Sequence, residues 1–520
     1  MRDSSHDGTP SLPHQPGSLR ELLWVAVPLV LSSGSLSLMH VVDRVFLTWS
    51  GEDALAASLP AGLLHWTVMS VFIGTATYVN TFVAQYDGAG RKDRVVASVW
   101  QGIYLALCGG VCVTALFVPL AGPIFTLAGH KPAVEALEIE YFSTLCFGAT
   151  PMIMAAAMSA FFSGRGRTRV LMYVNFMIAV LNMGLDFGMI FGHGPFPEMG
   201  IRGAALATVI SQSTGVLLYA LLILRERNRD GYAFFVHRRF HRELFGRLLR
   251  YGFPTGMQYL SDVLGFLVFI FLVGRIGNVE QAATNLAFNL NTMAFVPMIG
   301  FGTAVMTLVG RRIGEGRPQL AVRTTWQAFG LCSAYMLTFV AIYLFLPDVI
   351  LYPYSLDAKP SEFAEIRPLV VRLLRFVAIY SFFDGMLIVF SSAVRGAGDT
   401  RFSMIFTLFA GWSLMVLPTW IVWTYFTPNL FAAWTAVSVY ITVAGFGFLI
   451  RFQAGRWKTM RVIEPVDAEP STDDAPVSET VPANPAETVT AFNPATALAS
   501  DPASSDSNGL MGLPARAKVE

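Results

Sequence analysis

Twelve segments of about 20 or more mostly apolar residues follow one another along this chain, and no other feature limits its fold so strongly. They run approximately over 21–49, 54–86, 94–127, 133–162, 168–191 and 201–224, then 246–275, 280–310, 319–347, 364–394, 401–425 and 429–451. About 20 helical residues cross ~30 Å of hydrocarbon. Several segments are longer than that, so they are expected to tilt or protrude. Charged residues make up 14% of the chain, against about 25% in an ordinary soluble protein. The mean hydropathy is +0.53. These features predict an all-α integral membrane protein.

The loops predict its orientation. Alternate loops carry Arg91, Lys92 and Arg94; Arg165, Arg167 and Arg169; Arg225 to Arg250; Arg311, Arg312 and Arg317; and Arg395 and Arg401. The intervening loops hold only Lys131, Arg202, Arg275, Lys359 and Arg367. An excess of Lys and Arg marks cytoplasmic loops, which puts both termini in the cytoplasm of a multi-pass plasma (inner) membrane protein. Residues 1–19 lack an apolar stretch and read as a disordered N-terminus without a secretory signal. Residues 462–520 are dominated by Pro, Ala, Ser, Thr, Asp and Glu and read as a disordered cytoplasmic tail. Cys108, Cys112, Cys146 and Cys332 lie inside apolar segments and read as small buried hydrophobes.

The two halves repeat. Thr81 to Arg91 (TFVAQYDGAGR) matches Thr307 to Arg317 (TLVGRRIGEGR) at an offset of 226, which also carries Pro28 onto Pro254. Gly164 to Arg169 matches Gly396 to Arg401 at an offset of 232. Six spans return the chain to the side it started from, so the repeats are parallel. They predict two six-helix bundles related by a pseudo-two-fold axis along the membrane normal, with a cleft between them. The expected boundaries are an N-lobe over 20–225, a linker over 226–245 and a C-lobe over 246–455.

Acids inside the spans are the candidate functional residues, because a carboxylate at the bilayer centre costs about 2.5 kcal/mol or more and marks ion or substrate paths. At 1.5 Å per residue, Asp43 lies roughly 12 Å from the outer end of its span, and Asp186 and Thr208 roughly 9 Å. Asn182 and Asp186 share a helix face. These four oxygen-bearing side chains form one candidate site for a proton or a small hard cation such as Na⁺. Asp262 and Asp384 lie roughly 18 and 16 Å from the inner ends of theirs, near the midplane, and form a second. Two close carboxylates ionise together only at a cost, which suits a proton carrier or a cation site. Asn285 and Asn289 extend that site, and Tyr259, Phe266 and Tyr380 are candidates to line a substrate cavity, since aromatics beside carboxylates suit organic cations. Under the repeat offsets none of these acids maps onto another acid, so they read as specific to one lobe. Arg44 is expected to snorkel outward; His40, three residues before Asp43, reads first as a satisfied buried histidine and second as a group that tunes Asp43.

No phosphate-binding glycine loop precedes any lysine, and H-E-x-x-H, G-x-S-x-G and zinc spacings are lacking. An enzymatic reading therefore has no residues to rest on, and no cofactor or structural metal is expected. The basic loops are accounted for by orientation and anionic lipid, not nucleic acid.

Taken together, Pro28 and Pro254, the paired Gly/Arg loops, Arg395 to Thr400 (RGAGDT), Asp43, Asn182-x-x-x-Asp186, Gly203 to Thr208 (GAALAT) and Pro254 with Asp262 eight residues on resemble the multidrug and toxic compound extrusion (MATE) family over roughly residues 20–455. That family more often has Glu where this chain has Asp262. The resemblance implies a secondary antiporter that exports organic, often cationic compounds in exchange for Na⁺ or H⁺ by alternating access, working as a monomer among membrane lipids. Two other readings are a lipid or lipid-linked saccharide flippase of the same superfamily and, from another class, a membrane receptor or channel.

Overall fold

The structure, a computed structural model, describes residues 14–230, 232–357 and 360–464. Of the segments expected to be disordered, 1–13 and 465–520 lie outside these residues, while 14–19 and 462–464 lie within them. Helices α1 (Leu19–Ser50), α2 (Glu52–Thr77), α3 (Val79–Gly88), α4 (Lys92–Ala128), α5 (Pro132–Phe147), α6 (Ala149–Ser163), α7 (Thr168–Phe191) and α8 (Gly200–Asp230) build the first lobe. Helices α9 (Arg242–Gly274), α10 (Asn278–Gly314), α11 (Pro318–Phe345), α12 (Pro347–Asp357), α13 (Pro360–Ala397), α14 (Thr400–Gly411), α15 (Leu417–Tyr425) and α16 (Leu430–Gln453) build the second. Among the described residues eleven helical runs are long and apolar enough to cross a membrane, and twelve if α5 and α6, bent by 42° at Gly148, count as one.

Local chemistry sets the ends of these helices. The Ser18 hydroxyl caps α1 by accepting from the Glu21 N–H at 3.2 Å. α2 passes into α3 at Tyr78 without leaving the span. α14 and α15 are joined through a π-helical turn, Trp412–Val416, a device often found at functional sites. The short helix α12 between the ninth and tenth spans was not legible in the sequence, since its apolar residues merge with those of α11. The connection between the lobes is not a free linker. Tyr232 and Phe234 are buried, and the Trp100 indole donates to the Phe234 carbonyl at 2.7 Å.

The pseudo-two-fold axis is visible in the contacts themselves. A Cβ on Gly74 of α2 would lie 2.7 Å from the Gly256 Cα of α9, and one on Gly300 of α10 would lie 2.6 Å from the Leu29 carbonyl of α1, beside Val30. Shifting Gly74 and Val30 by 226 gives Gly300 and Gly256, so these two helix crossings are copies of one contact. A second copy-pair joins α3 to α10: a Cβ on Gly88 would collide with the Arg311 carbonyl, and one on Gly314 with that of Gln85. The same shift of 226 turns Gln85 and Gly88 into Arg311 and Gly314. Glycine is required at these crossings because the backbones touch. Gly74→Ala is therefore expected to destabilise the protein by about 1–3 kcal/mol through overpacking. Gly62→Ala, which meets nothing within 4 Å, should be neutral or slightly stabilising. Thermal unfolding of the two variants in one detergent checks this; equal midpoints would remove the packing argument.

Side-chain bonds between the lobes gather at the end that carries the basic loops, called here the basic end. Tyr78 donates to the Arg395 carbonyl at 2.9 Å, and Asn80 to the Thr307 hydroxyl at 2.9 Å. Asp87 lies 3.5 Å from Arg311, and buried Glu21 pairs with buried Arg312. Away from that end the same helix faces part. Gly300 is buried against α1, but Met293, on the same face of α10, is 67% exposed, and Asn289 beyond it is exposed too. On α1, Leu29 is buried while His40, on the same face, is exposed.

Candidate functional site

In the first lobe the structure gathers four of the sequence candidates. Asn182 and Asp186 are one turn apart on α7 and fully buried. With the Asn182 amide turned so that both its ends are satisfied, its nitrogen donates to Asp186 Oδ2 at 3.0 Å and its oxygen accepts from the Thr208 backbone N–H at 3.3 Å. Thr208 thus meets Asn182 through its main chain, where the sequence pointed to its hydroxyl. Asp43 of α1 is half-buried and within electrostatic reach of Asp186. Asp43 Oδ1 and Asp186 Oδ1 are both buried without a hydrogen-bond partner. A buried carboxylate oxygen lacking a donor carries an uncompensated desolvation cost. A proton or a small cation held between the two acids would supply the missing partner. Tyr141 of α5 is buried within electrostatic reach of both acids. His40, one turn before Asp43, and Arg44 are exposed, so His40 is not the satisfied buried histidine that the sequence suggested.

The second-lobe candidates are arranged less tightly. Asp384 of α13 is buried, whereas Asp262 of α9 is exposed, and no hydrogen bond or ion pair joins them among the described residues. Tyr440 of α16 lies within electrostatic reach of each. Next to Asp262, the Ser261 hydroxyl accepts from the Trp412 indole at 3.2 Å. Trp412 opens the π-helical turn, which aims it at α9. Phe266 is exposed, its ring 5.0 Å from that of Phe288. Tyr259 is half-buried, and Asn285 and Asn289 are exposed on α10. Tyr380 is enclosed in the second lobe's apolar core, not on an open surface, although it is within electrostatic reach of Asp384.

Three polar groups of these regions were not singled out from the sequence. Tyr141 and Tyr440 sit among many aromatics at helical spacing, and only their neighbours distinguish them. Glu138 is fully buried in α5, 2.8 Å from His130 Nδ1. It lies near the start of its span, among Glu135 and Glu140, where acids read as an ordinary helix end. Among the described residues no group of three or more His, Cys, Asp and Glu is placed to hold a metal.

A family model described as MatE matches residues 28–187 and 254–421, one block in each lobe. The chain belongs to the MatE family. It is 27% identical over 445 residues to a probable multidrug resistance protein NorM of Thermotoga maritima, covering 85% of this chain and 94% of that protein. A probable NorM of Burkholderia pseudomallei is 31% identical over 392 residues, covering 75% of this chain and 83% of its own length. A solved outward-facing multidrug resistance MATE family transporter of the MOP superfamily superposes with a TM-score of 0.79, at 21% identity, covering 88% of this chain and all of that one. The two blocks of the MatE match fall on the two copies of the internal repeat. This MatE chain is thus a multi-pass membrane transporter of two six-span bundles.

Proposed function

We propose that the chain is a secondary active antiporter that exports organic, often cationic compounds in exchange for Na⁺ or H⁺. The observation that carries this reading is the pair of buried, unpartnered carboxylate oxygens on Asp43 and Asp186. They lie in the half of the bundle where the lobes part, while polar bonds hold the lobes together at the basic end. An ion bound between the acids compensates them, and an ion that favours one arrangement of the lobes over the other couples its own movement to theirs. The names of the NorM relatives support multidrug compounds as the cargo.

In this reading the basic end is cytoplasmic and the structure is the outward-facing state. Asp43 and Asp186 take the inward-moving ion. Asp262 and Asp384, both within electrostatic reach of Tyr440, take either a second ion or the positive charge of the cargo, with Phe266, Tyr259, Asn285 and Asn289 toward the cleft. The test is efflux of a fluorescent organic cation from proteoliposomes under an imposed Na⁺ gradient and, separately, an imposed pH gradient. Efflux that follows one of the gradients is the expected result and names the coupling ion. Folded protein that responds to neither would overturn antiport and favour lipid cargo.

A further inference from the structure

Beyond the last span the chain turns back beneath both lobes. α16 ends at Gln453, Gly455 takes φ +72°, and a 3-10 turn over Arg456–Thr459 seats Trp457. Its ring stacks on Phe452 at 4.9 Å and its indole donates to the Phe452 carbonyl at 2.8 Å. Val462 and Ile463 are then buried in the core, so the boundary expected at Val462 moves outward; they are the last apolar pair before the polar tail. The Val462 N–H donates to Gln85 Oε1 at 2.9 Å, and Gln85 Nε2 donates to the Gly396 carbonyl at 3.1 Å. Glu464 accepts from the Tyr86 hydroxyl at 2.7 Å and pairs with Arg247 at 2.7 Å and Arg91 at 3.4 Å. Burial opposes its charge, but the Tyr86 hydrogen bond and the nearby guanidiniums hold its carboxyl below the usual range. Gln85, Tyr86 and Arg91 belong to the first lobe, and Arg247 to the second.

The internal repeat shows what Glu464 replaces. On one side of the axis, Glu21 of the first lobe pairs with Arg312 of the second. Shifting Glu21 by 226 gives Arg247, and shifting Tyr86 gives Arg312. The symmetry-related position therefore brings together Arg247 and Tyr86, two donors and no acid. Glu464 comes from outside the repeat, lies between the two and accepts from both.

We propose that Val462–Glu464 is an inter-lobe latch, and Glu464 a positioning residue of the transport cycle: Glu464 supplies the anion missing from one side of the two-fold gate and must leave Tyr86 and Arg91, as the Val462 N–H must leave Gln85, whenever the basic end opens. This rests on the lobes moving apart at that end, as proposed above. Charge-assisted hydrogen bonds made in one state only bias the population of that state.

The test is the distance distribution, by double electron–electron resonance, between nitroxides at Asp93 and Arg401, both exposed at the basic end of different lobes. It uses the full chain in lipid nanodiscs, with the four native cysteines replaced. Glu464→Gln is expected to raise the long-distance population at least about threefold. Tyr86→Phe, a change too small to threaten folding, removes only the bond across the lobes and is expected to raise it by less. Two populations in the parent chain, unchanged in both variants, would overturn the latch and leave the moving lobes standing. A single distance in every variant, with and without an ion gradient or organic cation, would overturn both.

Discussion

Asp186→Asn abolishes gradient-driven export while the protein stays folded: initial efflux falls by about 100-fold or more, the scale of roughly 3 kcal/mol withdrawn from a required step. The argument is local. Asn has the size of Asp and still offers an oxygen to the Asn182 amide, so the bond at 3.0 Å survives. What is lost is the charge facing Asp43, and with it the reason for a proton or cation to bind. Asp43→Asn should fall as far. The double variant should fall little further, because residues that hold one ion act as a unit and their effects do not add. Asp53→Asn, on an exposed acid in the first turn of α2, is expected to export at the parent rate. Proteoliposome efflux with matched protein content reads all four. Normal export by Asp186→Asn would remove the ion from the first lobe and leave Asp262 and Asp384 as its carriers.

The second large effect is predicted at the basic end. Arg312 is 2% exposed, pairs with Glu21 of the other lobe and lies 2.7 Å from Glu315. Replacing it with Gln leaves Glu21, itself 1% exposed, buried without its cation. Removing one partner of a buried ion pair costs about 3–5 kcal/mol because the remaining charge is uncompensated. The chain can relieve that cost by separating the lobes and letting water reach Glu21. Arg312→Gln is therefore expected to open the basic end, which labelling of single cysteines there with a water-soluble maleimide would read as faster reaction. The double variant Arg312→Gln with Glu21→Gln removes the orphaned charge, and should recover part of the closed population. A single variant that labels at the parent rate would show that this pair does not hold the gate.

The fold was legible because its two governing signals are local and repetitive. Twelve apolar segments define the spans, and an offset of 226 residues defines the parallel repeat; the contacts at Gly74, Gly256, Gly300, Gly88 and Gly314 are what that offset looks like in space. The two six-span bundles of the MatE family follow from the same signals. The site was legible only in outline. Acids inside apolar spans stand out, because lipid makes them costly, and depth along a helix grouped Asp43 with Asn182, Asp186 and Thr208. Tyr141 and Tyr440 did not stand out, because one phenol among many aromatics has no periodic or compositional mark. Depth also could not tell that Asp384 is buried while Asp262 is exposed, or that no bond joins them among the described residues. Rotation of each helix about its own axis settles that, and it is decided by packing.

By itself the sequence determined the number of spans, their pairing into repeats and which residues are costly to bury, since each depends on hydropathy, length and spacing along one segment. The tertiary structure alone decided which oxygens are left unpartnered, which residues of α10 are exposed where the lobes part, and that Glu464, outside the repeat, bonds both Tyr86 and Arg247. Those facts depend on side chains brought together from segments hundreds of residues apart, and only the packed lobes place them within a hydrogen bond of each other.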